Sequence, residues 1–232
     1  MARTAVVAGV GPGLGASVAR RFHDEGCAVG LFARSADTIE ALADDLGERA
    51  LAVTTDVSDP DDVREGFDHV REAFGPVDVL VVNASAAPWK GTLEIGHGEF
   101  DRALGVNVRG GLHCAQEAVP DMLDGEGGTV IFTGATTSVR GLEGGVGFSA
   151  AKFAARGLAQ SMAQELASDG VHVAHVVIDG QIRPPDRAVE EPDDYLDPDA
   201  IADRYWRLVD GDVATMDFEV HVTNGNGDIE FV

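Results

Sequence analysis

The chain has 232 residues, 44% of them hydrophobic, and sets 40 acidic side chains against 17 basic ones for a formal charge of −23. That length suits one α/β domain with a full core, and no apolar run reaches the ~18 residues a membrane-spanning helix needs. With no basic stripe to neutralise phosphates, nucleic-acid binding is excluded as a class. Self-repulsion on this scale is screened at molar salt, where the Debye length is about 3 Å. The acidity therefore reads as solvation in a salt-accumulating cytoplasm rather than as a docking face. Met1 leads almost directly into an apolar strand, without a basic n-region or cleavage site, which agrees with a cytoplasmic location. Cys27 and Cys114 lie in apolar segments and are expected as reduced core thiols, not as a disulfide or a metal site.

Strand and helix patterns alternate along the chain. TAVVAGV (4–10) is a continuous apolar run, the mark of a strand buried on both faces. Helical spacing follows from Leu14 to Glu25, closed by Gly26. AVGLFA (28–33) is a second strand, and a second helix runs from Asp37 to Leu46. ALAVTTD (50–56) is a third strand, after which Asp59-Pro60 opens a helix with an N-cap and a first-turn proline. VDVLVVNA (77–84) gives strand four, Glu99 to Leu123 one long helix, and GGTVIFTG (127–134) strand five. Gly147 to Ser168 is another long helix and VHVAHVVIDG (171–180) strand six. Such alternation with short connections predicts a single doubly wound parallel sheet, Rossmann-like, with helices on both faces.

The cofactor-binding core is expected over 1–183. Residues 184–213 are rich in Pro, Asp and Glu and hold Tyr195, Tyr205 and Trp206. They are expected as a mobile substrate flap with a short helix near 198–208. The tail, 214–232, is expected as two strands about an NGNG turn, the first joining the sheet edge.

Between the first strand and first helix lies GVGPGLG, with Gly9, Gly13 and Gly15 spaced G-x-x-x-G-x-G. Glycine is needed where a turn is tight, where backbone must approach a pyrophosphate, and where helix packs on strand. The helix N-terminus beyond it supplies free N–H groups and a positive dipole end.

That turn, together with TDV at 55–57, NAS at 83–85, Asn107 in the first long helix and Lys152 early in the second, resembles the short-chain dehydrogenase/reductase family. The resemblance covers residues 1 to about 183. It implies strand order 3-2-1-4-5-6-7 and a nicotinamide dinucleotide across the carboxyl ends of the strands. Gly9, Gly13, Leu14 and Gly15 would hold the pyrophosphate. Asp56 would bond the adenine amino group with Val57 beside the ring, Asn83 and Ala84 would line the ribose side, and the Ile182 backbone would meet the nicotinamide amide. The Pro-Gly that follows strand six in the family is Asp179-Gly180 here. At the end of strand two, Ala33 stands where NAD-type relatives keep Asp, and Arg34 follows it. NADP is expected over NAD, with Arg34 as the 2′-phosphate clamp. The family pairs its two long helices across a two-fold axis, which implies a homodimer or homotetramer.

In the family a tyrosine donates a proton to the substrate carbonyl, and a lysine four residues later lowers its pKa. A serine about thirteen residues before the tyrosine polarises the carbonyl, and an asparagine anchors a water relay. Lys152 and Asn107 match. Phe148 stands in the tyrosine slot and Ala135 in the serine slot. Thr136 is a possible substitute for the serine if the chain slips by one residue, and Tyr195 or Tyr205 could swing in as acid. Two readings follow: an atypical oxidoreductase acting on a small carbonyl or alcohol with a non-standard proton donor, or a catalytically silent NADP(H)-binding protein.

Overall fold

A computed structural model describes residues 2–185, 189, 194–211 and 215–224. Seven parallel strands form one sheet in the order β3-β2-β1-β4-β5-β6-β7, as the sequence pattern implies. The strands are β1 Thr4–Ala8, β2 Ala28–Ala33, β3 Ala50–Thr54, β4 Val79–Val82, β5 Gly128–Thr133, β6 Val171–Asp179 and β7 Glu219–Thr223. Every residue of β1 and β4 is buried, because helices cover both faces. That two-sided burial is why these strands read as unbroken apolar runs.

On one face α1 (Leu14–Asp24), α2 (Ala36–Leu46) and α7 (Pro198–Asp210) pack around Phe22, Leu31, Ile39 and Tyr205. On the other, α3 (Pro60–Phe74), α5 (Gly110–Asp124) and α6 (Val146–Leu166) enclose Phe32, Phe67, Met122 and Phe132. The expected N-cap of α3 is present, the Asp59 carboxylate accepting from the Asp61 amide at 2.9 Å. Cys27 and Cys114 are buried and unpaired, and burial pushes their thiols up to about 11 and about 12. Among the described residues no helix is long and apolar enough to cross a membrane.

Two expectations need correction. The long helix predicted over 99–123 begins earlier and is not uniform: α4 (His97–Leu104) passes through a π-helical turn, Gly105–Arg109, into α5. One extra residue in a helical turn shifts the register of everything beyond it, and Asn107 sits in that turn. The segment expected as a flap is in large part core. Helix α7 buries Ile201, Ala202, Tyr205, Trp206, Leu208 and Val209, and the Trp206 ring meets Phe22 of α1 edge-on at 5.6 Å. Apolar residues repeating at helical spacing outweigh the acidic, proline-rich composition around them. In the tail, β7 does join the sheet edge beside β6, while the second expected strand lies outside the described residues.

Candidate functional site

A cavity of about 860 Å³ opens at the carboxyl ends of the central strands, within the range of cofactor sites. Its wall begins at the glycine turn. Gly9 has φ +113°, and a Cβ there would lie 2.2 Å from the Ala84 amide nitrogen; one on Gly15 would lie 2.5 Å from the Gly9 carbonyl. Only glycine lets β1, β4 and α1 close up this tightly. Gly13 differs: a Cβ on it meets nothing within 4 Å, so bare backbone faces the cavity. Helix α1 starts there with no side-chain cap and no acidic residue in its first turn. The Ala16 and Ser17 amides turn back onto the Gly11 and Gly13 carbonyls, so what the helix start offers an anion is the Leu14 and Gly15 amides and the positive dipole end.

Arg34 and Ser35, just past β2, line the same cavity with Asp56, Val57, Asn83 and Ala84. Arg34 is exposed, and Ala33 beside it carries no charge. Hydrogen bonds from Ser58, its hydroxyl at 2.6 Å, hold the Asp56 carboxyl below its usual range, with the Arg34 charge helping. Asn83 anchors the turn, its Nδ2 donating to the Gly9 carbonyl at 2.7 Å. Ile182 also lines the cavity and bridges to Leu196.

At the opposite end Lys152, Phe148 and Ala135 meet. Lys152 rises from the second turn of α6, is only 4% exposed, and donates to the Thr133 carbonyl at 2.7 Å. Burial pulls its ammonium down from 10.5 to about 8. The Phe148 ring lies 5.7 Å from Nζ and 5.9 Å from the Trp89 ring. Gly145 is where Trp89 comes close, since a Cβ there would sit 3.0 Å from the indole.

Two candidates stand apart from the cavity wall. Asn107 is buried and fully engaged: Nδ2 donates to the Ala86 and Ala103 carbonyls, and Oδ1 accepts from Ser85 Oγ at 3.0 Å. Ser85, by contrast, lines the cavity. Thr136 does not slip into the serine slot. Its hydroxyl donates to Asp179 Oδ1 at 2.5 Å, and Arg140 reaches the same oxygen at 3.4 Å. The hydroxyl proton is committed to a carboxylate that replaces the expected proline. Ala135 itself is tied down by its backbone amide donating to Ser138 Oγ.

Tyr205 cannot swing. It is fully buried, and desolvation raises its hydroxyl well above the usual range. Its OH lies 2.9 Å from Thr133 Oγ1, which donates in turn to Asn83 Oδ1 at 3.1 Å. A threonine hydroxyl has one proton, so Tyr205 is the donor in this pair. Thr133 was not visible as a site residue in the sequence. It serves Lys152 with its carbonyl and joins Tyr205 to Asn83 with its hydroxyl. Trp89 was missed as well. In the sequence it is only a tryptophan in the loop after NAS; its packing against Phe148 comes from the structure.

A family model described as short chain dehydrogenase matches residues 3–185. The chain is 32% identical over 177 residues to a 3-oxoacyl-[acyl-carrier-protein] reductase of Staphylococcus aureus, covering 75% of this chain and 72% of the relative. Its fold superposes on an alcohol dehydrogenase of Thermococcus sibiricus solved with 5-hydroxy-NADP, with TM-score 0.90, 27% identity and full coverage of both chains. A 3-ketoacyl-(acyl-carrier-protein) reductase of Brucella melitensis solved with NADH gives TM-score 0.88 at 25% identity, covering 96% of this chain and 97% of the other.

Proposed function

Because the chain belongs to the short-chain dehydrogenase family, we propose that it is an NADP(H)-dependent oxidoreductase acting on a small carbonyl or alcohol, with a vacated proton-donor position. The observation that carries this reading is one continuous cavity with Arg34 and the bare Gly13 backbone at one end and Lys152 beside Phe148 at the other. Those residues fit a nicotinamide dinucleotide. The α1 N-terminus suits the pyrophosphate, Asp56 and Asn83 suit the adenosine side, and Ile182 the nicotinamide amide. Arg34 beside neutral Ala33 suits a 2′-phosphate, since a guanidinium forks onto phosphate while no carboxylate repels it.

When bound, the nicotinamide supplies or accepts the hydride. The protein's own share is placement and charge. Lys152 spends one N–H on the Thr133 carbonyl, and its others would hold ribose hydroxyls of a bound coenzyme. Phe148 and Trp89 give the substrate an apolar wall. Neither Phe148 nor Ala135 has a proton to give, so the product alkoxide takes its proton from water entering the cavity mouth. General acid catalysis is worth about 10²–10⁴ and one oxyanion donor about 10²–10³, so turnover is slow.

The test is oxidation of NADPH in molar KCl against a panel of small aldehydes and ketones, with the Phe148→Tyr variant alongside. Slow turnover by the native chain, raised about 10²-fold or more by the tyrosine, is the expected result. No turnover by the native chain, with NADPH still bound, would mean a silent nucleotide-binding protein.

A further inference from the structure

Lys152 has an environment that does more than hold a ribose. Lys152 lines a wide cavity, yet the residue is only 4% exposed. Its polar partner is a backbone carbonyl, Thr133 at 2.7 Å, and no carboxylate lies within ion-pair distance of it among the described residues. The carboxylate of this corner, Glu219, is spent on Arg156 and His175. The other titratable groups around Lys152 are His175 on β6, Arg156 one turn further along α6 and, across Thr133, the buried Tyr205 hydroxyl, none of which is a carboxylate. Phe148 closes the near side with its ring face. Amines become nucleophiles when desolvated in apolar surroundings without a counter-charge.

We propose that Lys152 of the coenzyme-free protein is a covalent capture site for small reactive carbonyl compounds, aldehydes above all, which it binds as an imine. The lone pair of Nζ attacks the carbonyl carbon, and a proton passes from nitrogen to oxygen to give the carbinolamine. Water then leaves with that oxygen as the C=N bond forms. No electron changes hands and no further reactant is needed. Burial lowers the ammonium to about 8, so a useful fraction of the amine is neutral near physiological pH. In the phenol-bearing arrangement of the family a hydroxyl would face this nitrogen. Phe148 removes that competitor.

This inference uses the same cavity as the proposed function but does not depend on coenzyme binding, and one experiment separates the two. The native protein, free of coenzyme, is treated with propanal and sodium cyanoborohydride near neutral pH, then read by intact mass and peptide mapping. The chain offers only two lysines. Lys90, held at the surface by Glu99 at 2.7 Å, is the internal standard. Propyl groups should accumulate on Lys152 about tenfold faster than on Lys90. Equal or slower labelling of Lys152, or labelling only after denaturation, overturns the proposal. NADPH added beforehand should protect Lys152 and leave Lys90 unchanged. Labelling without protection would uphold the capture site while counting against the coenzyme seat.

Discussion

Replacing Lys152 with methionine should make the protein more stable while destroying the site it serves. The fall of its ammonium from 10.5 to about 8 through burial corresponds to about 3 kcal/mol of folding free energy carried as a penalty at neutral pH. Methionine matches the chain length without a charge. It leaves the Thr133 carbonyl without its Lys152 donor, which costs about 1 kcal/mol. The expected net gain for Lys152→Met at pH 7 is about 2 kcal/mol. A pH dependence must accompany it. Well below pH 8 the lysine is protonated in both folded and unfolded chains and the penalty is complete, and at pH 7 it is nearly so. Between about 8 and 10.5 the unfolded chain holds a proton that the folded chain lacks, so native stability rises relative to the variant. Urea titrations in molar KCl, read by tryptophan fluorescence across that window, should show the gap closing. A variant less stable than the native protein, or a gap indifferent to pH, would refute the claim that burial without a counter-charge governs this lysine.

Further outcomes test the rest of the site. Arg34→Ala should weaken NADPH binding about 10- to 100-fold and leave NADH nearly unchanged in calorimetric titration, as expected when a charged hydrogen-bond donor is lost. Gly9→Ala should cost more than about 3 kcal/mol or prevent folding, because φ +113° and an Ala84 contact at 2.2 Å cannot both be relieved. Gly13→Ala should stay within about 1 kcal/mol of native stability yet bind either coenzyme more weakly, since its methyl would point into open cavity; denaturation and titration of both variants decide this. Finally, stability should fall in acid in two stages. Burial lowers His175 to about 4, so between pH 6.5 and 4 the unfolded chain takes up a proton that the folded one refuses. Against the upward push of burial, hydrogen bonds from Arg156 and His175 hold Glu219 down to about 2, and its contribution is lost between pH 4.5 and 2. Glu219→Gln should remove about 1–2 kcal/mol at pH 7, after discounting for solvent screening, and almost nothing at pH 2.

The sheet was legible because its physics is local. A strand covered on both faces must be apolar throughout, and β1, β2 and β4 announce themselves by that alone. The glycine turn was legible for a similar reason, since three glycines between strand and helix have few structural uses. The π turn around Asn107 was not, although Gly105, Gly110 and Gly111 gave warning. Gly110 presses on Val57 and Gly111 on Phe132, where a Cβ would lie 2.8 and 2.9 Å from those side chains. Helix α7 was read near its true bounds, but its buried face was not, because composition was weighed over period. The pairing of Thr136 with Asp179 could not have been found at all. It joins residues 43 apart through a side-chain rotamer, and nothing in either segment's own pattern encodes it. Tyr205 taught the same lesson in reverse, because a hydroxyl that looked free to move is fixed to a threonine 72 residues away.

Thr133 gives that last contact a practical meaning. One residue grips the ammonium with its carbonyl and α7 with its hydroxyl, so α6 and α7 share a fastening. Trimming the chain ahead of α7 would therefore do more than shorten a tail. It would strip the buttress from β5 and let Lys152 drift. Any attempt to whittle this protein to a minimal nucleotide-binding unit should keep everything through Thr223, since β7 closes the sheet edge and Glu219 holds Arg156 and His175.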